Sequence, residues 1–105
     1  MTYAFLNGNF LPIEDAKVGV MTHALHYGTS VFEGIRANWN PEQEKLYVFQ
    51  PREHYERLLR GCKMLRINLP YTAEDLTQIT LDPVSYTHLR AHETRHDLVC
   101  RLLLE

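Results

Sequence analysis

Residues 23–36 carry the side chains whose types and spacing best suit chemistry. The segment reads His-Ala-Leu-His-Tyr-Gly-Thr-Ser-Val-Phe-Glu-Gly-Ile-Arg and follows neither a clean helical nor a clean strand period. The phenol of Tyr27, the ring of Phe32 and the bare backbone of Gly34 suit a pocket for an apolar side chain, because backbone at a glycine can approach a ligand closely. The alternative is a hairpin entry whose aromatic rings simply belong to the core.

Arg57 is the second candidate. A helix through this residue places it near His54 and Gly61, off the apolar stripe of the helix. A guanidinium there could hold a phosphate through two parallel hydrogen bonds, and Gly61 one turn later would leave room for it. The alternative is an ion pair with Glu53, four residues earlier, which stabilises a helix by only about 0.2–0.5 kcal/mol.

Three histidines recur every four residues near the C-terminus, at His88, His92 and His96. On a helix they would share one face, where such histidines often ligate Zn²⁺, and nearby arginines would add weak nucleic-acid affinity. A non-catalytic metal- or nucleic-acid-binding protein is therefore an alternative function. A solvated tail that binds no metal is the preferred interpretation.

Composition excludes several classes of function. With 105 residues, 45% of them hydrophobic, the chain can form one small domain. A formal net charge of −2 favours neither nucleic acid nor an acidic membrane. No apolar run approaches the roughly 18 residues of a membrane span, and no secretory signal is visible. Cys62 and Cys100 form no metal or redox motif and do not suggest a disulfide scaffold, so the sequence predicts a cytoplasmic protein.

The elements that must position these residues predict an α+β fold, a small antiparallel sheet with two helices. Asn7-Gly8 predicts a hairpin over residues 3–13, because both residues tolerate positive φ. Residues 31–37 and 45–49 are expected to be strands. Pro51 suits the first position of a helix that runs to Leu69-Pro70, and Thr72 can cap a second one. The apolar stripe of the first helix consists of Tyr55, Leu58, Cys62, Leu65 and Leu69.

The run from His23 to Arg36 resembles the signature of branched-chain aminotransferases, which are class IV enzymes dependent on pyridoxal 5'-phosphate (PLP). The resemblance spans residues 3–82 and includes the run Arg-Glu-His-Tyr-Glu-Arg-Leu at 52–58. It implies the N-terminal small domain of a two-domain enzyme. The D-amino-acid aminotransferases and aminodeoxychorismate lyases of the same superfamily are the alternatives.

The resemblance also implies roles for the candidate residues. Arg57 would bind the PLP phosphate, with Phe32 and Gly34 lining the substrate pocket beside it. Tyr27 would reach the active site of a neighbouring subunit, so that the parent protein would be a homodimer or a higher homo-oligomer. The substrates would be branched-chain amino acids and 2-oxo acids, with glutamate and 2-oxoglutarate as the exchanging pair.

Two features set this chain apart from the family. Its three lysines, Lys17, Lys45 and Lys63, do not match the catalytic lysine that forms the Schiff base, so the fragment is expected to be inactive alone. It is also expected not to be a stable domain if its core is too small. After residue 82 the composition shifts, and residues 83–105 resemble a translated sequencing adapter. We therefore predict a truncated aminotransferase domain at 1–82 and a non-native, disordered tail at 83–105.

Overall fold

The structure, a computed structural model, describes residues 3–82 and the backbone of residues 95–103. Its elements, in chain order, are β1 (Tyr3–Leu6), β2 (Asn9–Pro12), a 3-10 turn (Ile13–Asp15), α1 (His23–Tyr27), β3 (Ser30–Asn40), β4 (Lys45–Val48), α2 (Pro51–Met64), α3 (Ala73–Leu81) and β5 (Arg95–Leu103). The predicted α+β class is confirmed. Within the described residues, the short helix α1 is added to the two predicted helices, and the strands form two antiparallel sheets.

Strands β1 and β2 form the predicted hairpin. They pair antiparallel, with Tyr3 opposite Pro12 and Leu6 opposite Asn9. The two turn residues, Asn7 and Gly8, have φ values of 50° and 85°. Positive φ at both central positions is what a two-residue hairpin turn with the right twist requires, so the Asn-Gly pair explains the turn.

Strand β3 is the centre of the second sheet, with β4 on one side and β5 on the other. Its side chains alternate between two faces, as strand geometry requires. One face is buried and consists of Glu33, Ile35 and Ala37; the other is exposed and consists of Phe32, Gly34 and Arg36. The strand therefore presents one face to the helical layer and turns the other away from it.

Strand β5 differs from the disorder expected of the tail. Its backbone pairs antiparallel with β3, from Ser30 opposite Leu103 to Asn38 opposite Arg95. The physical reason is that an open strand edge offers unpaired N–H and C=O groups, which any extended segment can bond regardless of its side chains. The non-native origin of residues 83–105 stays a prediction, and His88 and His92 lie outside the described residues.

Helix α2 ends five residues earlier than its apolar stripe predicted. The helix stops at Met64, and Arg66 adopts a left-handed conformation with φ 58°. The N–H of Arg66 donates to the carbonyl of Lys63 at 3.1 Å, and the N–H of Ile67 donates to that of Cys62 at 2.8 Å. These two bonds form a Schellman motif, which satisfies the last carbonyls of the helix and turns the chain away. The prediction that the helix reaches Leu69 was therefore wrong.

The core lies between α2 and the inner face of β3. Ile35, Tyr55 and Leu58 are buried together there. The partly buried residues packed around them are Val31, Val48, Ala73 and Leu76. No helix in the described part of the chain is long and apolar enough to cross a membrane.

Helix α3 begins at the predicted cap. The hydroxyl of Thr72 accepts from the N–H of Asp75 at 3.1 Å, and the Asp75 carboxylate accepts from the N–H of Thr72 at 2.9 Å. This reciprocal capping box satisfies two backbone donors that the first helical turn leaves without partners. The phenol of Tyr55 and the hydroxyl of Thr80 form a buried hydrogen bond that joins α2 to α3.

Candidate functional site

Arg57 and Glu33 form a two-bond ion pair between α2 and β3. Nε of Arg57 donates to Oε1 of Glu33 at 2.7 Å, and Nη2 donates to Oε2 at 3.0 Å. The Arg57 side chain is 63% exposed, whereas that of Glu33 is 11% exposed. The Glu33 carboxylate is therefore mostly buried, whereas the Arg57 guanidinium that covers it is open to solvent. Two parallel hydrogen bonds fix the plane of the guanidinium as well as its position.

The environment of Glu33 stabilises its ionised form. The hydrogen bonds from Arg57 hold the pKa of Glu33 below its usual range and outweigh the desolvation that raises it. Nδ1 of His54 lies 3.3 Å from Oε1 of Glu33 and lowers the pKa further. Glu33 is thus a buried carboxylate that remains charged because two α2 side chains contact it.

This arrangement predicts a pH-dependent contribution to stability. The usual pKa of the glutamate carboxyl, 4.5, is lowered in the folded chain. Glu33 therefore stabilises the fold fully above about pH 4.5, and this contribution is lost as the pH falls through the lower folded value. We expect the melting temperature of Glu33→Gln to fall less between pH 5 and pH 3 than that of the unsubstituted chain, as measured by circular dichroism.

A matched control is Glu42→Gln, which removes one carboxylate from the exposed loop between β3 and β4. It should leave the slope of melting temperature against pH close to that of the unsubstituted chain. Equal slopes for Glu33→Gln and Glu42→Gln would contradict the special environment of Glu33.

The guanidinium of Arg57 keeps a second hydrogen-bonding edge. A guanidinium carries five N–H groups, and the pair with Glu33 uses one on Nε and one on Nη2. Three N–H groups remain on Nη1 and Nη2, and no described residue accepts from them. Two of them point side by side along the outer edge, so this edge can bind an oxyanion bidentately. The surface ion pair with Glu53 considered above is replaced by the pair with Glu33.

Phe32 and Gly34 lie on the opposite face of β3. The side chain of Phe32 is 64% exposed there. A Cβ added at Gly34 would meet no atom of the described side chains within 4 Å. Because neighbouring residues of a strand point to opposite sides, Glu33 faces Arg57 while Phe32 and Gly34 face away from it. The expectation that Arg57 lies beside a wall formed by these two residues is therefore not met within the described residues.

Tyr27 is the last residue of α1 and is 74% exposed. The helix ends at Gly28, whose left-handed φ of 69° allows its N–H to donate to the carbonyl of Ala24 at 3.0 Å. The ring of His23 lies with its centroid 4.5 Å from that of Tyr27. His26 contacts the carbonyl of Val20 through Nε2 at 2.8 Å. Both histidines therefore hold the short helix that presents Tyr27.

Gly61 has a different role from the one its spacing suggested. A Cβ built on Gly61 would lie 3.0 Å from Cγ1 of Val31. The space beside this glycine is therefore taken by a β3 side chain and is not room for a phosphate.

Two further features of the described residues bear on the alternatives. No group of three or more histidines, cysteines or acidic residues there could hold a metal ion. An open groove of about 400 Å³ lies at the β3–β4 turn. Its lining residues are Asn38, Trp39, Asn40, Pro41, Glu42 and Tyr47. None of the candidate residues belongs to this groove.

Glu33 is the residue that sequence reasoning missed. It stands within the candidate segment but was given no role. The signal was present in the alternation of β3, where Glu33 occupies the same face as Ile35 and Ala37. A carboxylate at an inward strand position needs a cationic partner, because an unpaired buried charge is costly. The alternation could therefore have predicted a partner for Glu33 without saying which cation supplies it.

Comparison with known proteins places this arrangement in the class IV aminotransferase fold. No family model matches the chain. The structure of the branched-chain amino acid aminotransferase of Escherichia coli superposes with a TM-score of 0.83 at 35% identity, covering 98% of this chain and 32% of that one. The branched-chain aminotransferase of Thermoproteus uzoniensis, solved with norvaline, gives 0.80 at 39%, covering 95% and 32%.

The sequence comparison agrees with the structural one. The Aquifex aeolicus protein named "Probable branched-chain-amino-acid aminotransferase" is 46% identical over 101 residues, which are 96% of this chain and 31% of that protein. The branched-chain amino acid aminotransferase of Thermobaculum terrenum, solved in its PLP form, gives a TM-score of 0.79 at 25% identity, covering 97% of this chain and 32% of that one. The chain is homologous to branched-chain-amino-acid aminotransferases and spans about a third of their length. The resemblance found in the sequence is confirmed.

Proposed function

We propose that Arg57 binds the phosphate of PLP and that the complete protein transfers the amino group of leucine, isoleucine or valine to 2-oxoglutarate. The observation that carries this proposal is the bidentate pair with Glu33, which leaves one guanidinium edge facing outward. Phosphate recognition benefits from two parallel charge-assisted donors. Because Glu33 already holds the guanidinium, less conformational freedom is lost when the phosphate binds.

The ligands of the solved relatives support the same chemistry. The Thermobaculum terrenum protein was solved in its PLP form, and the phosphate of that cofactor is the group we assign to Arg57. The Thermoproteus uzoniensis protein was solved with norvaline, an amino acid with an apolar side chain. We therefore assign the exposed face of β3, at Phe32 and Gly34, to the apolar side chain of the substrate. An aromatic ring beside open backbone suits such a group.

Each chain element then has one task in the proposed reaction. Bound PLP supplies an electron sink for the charge that develops at Cα of the amino acid. Arg57 anchors the phosphate end on one side of β3 and Glu33 orients Arg57, while the exposed face on the other side of the strand accepts the substrate side chain. Tyr27, held by α1 and 74% exposed, is assigned to the active site of a neighbouring copy in a homo-oligomer.

The remaining parts of the proposal concern the complete protein. The lysine that carries the cofactor is assigned to the part of the relatives that this chain does not match, because none of Lys17, Lys45 and Lys63 corresponds to it. The complete enzyme is assigned to the cytoplasm, because two cysteines in 105 residues do not suggest the disulfide scaffold of a secreted domain. Without a lysine in that position, the chain alone is expected not to transaminate.

The proposal can be tested by restoring the missing part. Residues 1–82 are joined to the remaining two thirds of the E. coli branched-chain aminotransferase, and transfer to 2-oxoglutarate is assayed with L-leucine and with D-alanine. We expect activity with L-leucine and little with D-alanine. The E. coli remainder expressed without residues 1–82 is the control. A preference for D-alanine would move the assignment to the D-amino-acid aminotransferases, and a folded but inactive chimera would contradict it.

A further inference from the structure

Two of the places where α2 meets β3 lie at matching intervals along both elements. Arg57 contacts Glu33, and four residues later Gly61 faces Val31, two residues earlier in the strand. Four helical residues rise about 6 Å. Two strand residues span about 6.6 Å. The two contacts are therefore neighbours along one seam, in which the helix and the strand run in opposite directions. If the distance between α2 and β3 changes at one of these places, it must also change at the other.

Gly61 permits the close approach at its end of the seam. A Cβ there would lie 3.0 Å from Cγ1 and 3.8 Å from Cγ2 of Val31. The shorter distance is well inside the usual 3.5–4.0 Å between carbon atoms in contact. Val31 cannot easily give way, because a β-branched side chain has few rotamers and this one packs against the core. The helix would have to move outward instead.

A packing role also explains why a glycine stands inside this helix. Glycine is among the least favourable residues in a helix interior. At Gly61 the backbone does not adopt the positive φ that would favour glycine for conformational reasons. The space occupied by Val31 is the remaining physical reason for a residue without a side chain at this position.

We propose that Gly61 is a positioning residue for Arg57: its lack of a side chain lets α2 lie close enough to β3 for the two-bond contact between Arg57 and Glu33. The functional consequence rests on the proposed phosphate role of Arg57, whereas the contact itself does not. The hydrogen bonds from Arg57 to Glu33, at 2.7 and 3.0 Å, tolerate little change in the distance between helix and strand, since such bonds weaken when they lengthen by a few tenths of an ångström.

The test compares Gly61→Ala, Val31→Ala and the double variant in the chimera without cofactor, because the 105-residue chain alone is not expected to be a stable domain. The pKa of Glu33 is measured by titrating its carboxyl group and following it by carbon NMR. This pKa reports on the contact between α2 and β3, because Arg57 and His54 of α2 are the charged and titratable groups that contact Glu33 among the described side chains. We expect Gly61→Ala to raise the pKa of Glu33 toward its usual value by loosening the pair. In the double variant, the shorter side chain at position 31 makes room for the new methyl group at position 61. The pKa of Glu33 should then return to the lowered value that it has in the unsubstituted protein.

Met64→Ala is the matched control, because it is a neutral change to alanine at an exposed position of the same helix. It should leave the titration of Glu33 as it is. A Glu33 pKa that is the same in Gly61→Ala as in the unsubstituted chimera overturns the proposal. If Gly61→Ala does not fold, a folded double variant supports the clash with Val31, and an unfolded double variant overturns it.

A second measurement separates this proposal from the proposed function. In the chimera, pyridoxamine 5'-phosphate should bind about three- to tenfold more weakly to Gly61→Ala and recover in the double variant, as expected for weakening one charge-assisted hydrogen bond. A loosened Glu33 contact with unchanged binding would uphold the positioning role and count against Arg57 as the phosphate ligand.

Discussion

Arg57→Lys is expected to weaken the binding of pyridoxamine 5'-phosphate to the chimera by on the order of 100-fold, because the lysine ammonium can replace only one of the two charge-assisted hydrogen bonds to the phosphate. Lysine keeps the positive charge but replaces a planar fork with a single ammonium group. It can neither pair with Glu33 through two parallel bonds nor offer a second parallel edge to an anion. The affinity is measured by calorimetric titration. Pyridoxamine 5'-phosphate is preferred to PLP because it has no aldehyde that could react with surface lysines.

Two controls make the result specific to the phosphate contact. Arg60→Lys makes the same substitution at an exposed position of α2 and should leave the affinity close to that of the unsubstituted chimera. Pyridoxamine without phosphate should bind Arg57→Lys and the unsubstituted chimera about equally. Undiminished binding of pyridoxamine 5'-phosphate by Arg57→Lys would refute the assignment of Arg57.

Leu58→Ala is expected to lower the free energy of unfolding by about 3 kcal/mol, within the 2–5 kcal/mol typical of such core truncations. Leu58 is 2% exposed and belongs to one buried cluster with Tyr55 and Ile35. A core of this size rarely supplies more than about 3–5 kcal/mol. The variant should therefore retain no more than about 2 kcal/mol and lie close to its unfolding midpoint. The measurement is urea unfolding followed by far-UV circular dichroism and by the fluorescence of Trp39.

Met64→Ala removes an apolar side chain of comparable size from the same helix, but one that is 83% exposed. It should change the free energy of unfolding by no more than about 0.5 kcal/mol. Equal losses for the two substitutions would mean that α2 does not pack on β3 through Leu58. A parent chain with no cooperative transition would instead support the expectation that the fragment is not stable by itself.

Local signals in the sequence were reliable where the bonding partners are close along the chain. Asn7-Gly8 specified the hairpin because the turn depends on the φ values of those two residues alone. Thr72 and Asp75 specified the start of α3 because a capping box closes within one turn. Tyr55, Leu58 and Cys62 were recognised as buried because an apolar stripe must face a core.

The end of α2 and the pairing of β5 could not be predicted in this way. The apolar stripe continues through Leu65 to Leu69, so spacing alone extends the helix. The helix ends at Met64 because Arg66 adopts a left-handed conformation. Position 66 holds neither glycine nor asparagine, the residues that usually predict such a helix end. β5 bonds an edge of β3 through backbone groups, whose partners do not depend on side-chain pattern.

The sequence by itself determined the class of fold, the hairpin, the starts of α2 and α3 and the family. It also singled out Arg57 as a group suited to phosphate. Only the tertiary structure decided that Arg57 is paired with Glu33 and that Phe32 and Gly34 lie across the strand from it. The physical reason is distance along the chain: caps and turns join residues within four positions, whereas Arg57 and Glu33 are 24 positions apart. Such a pair exists only after a helix has packed on a strand, and that packing depends on the whole core.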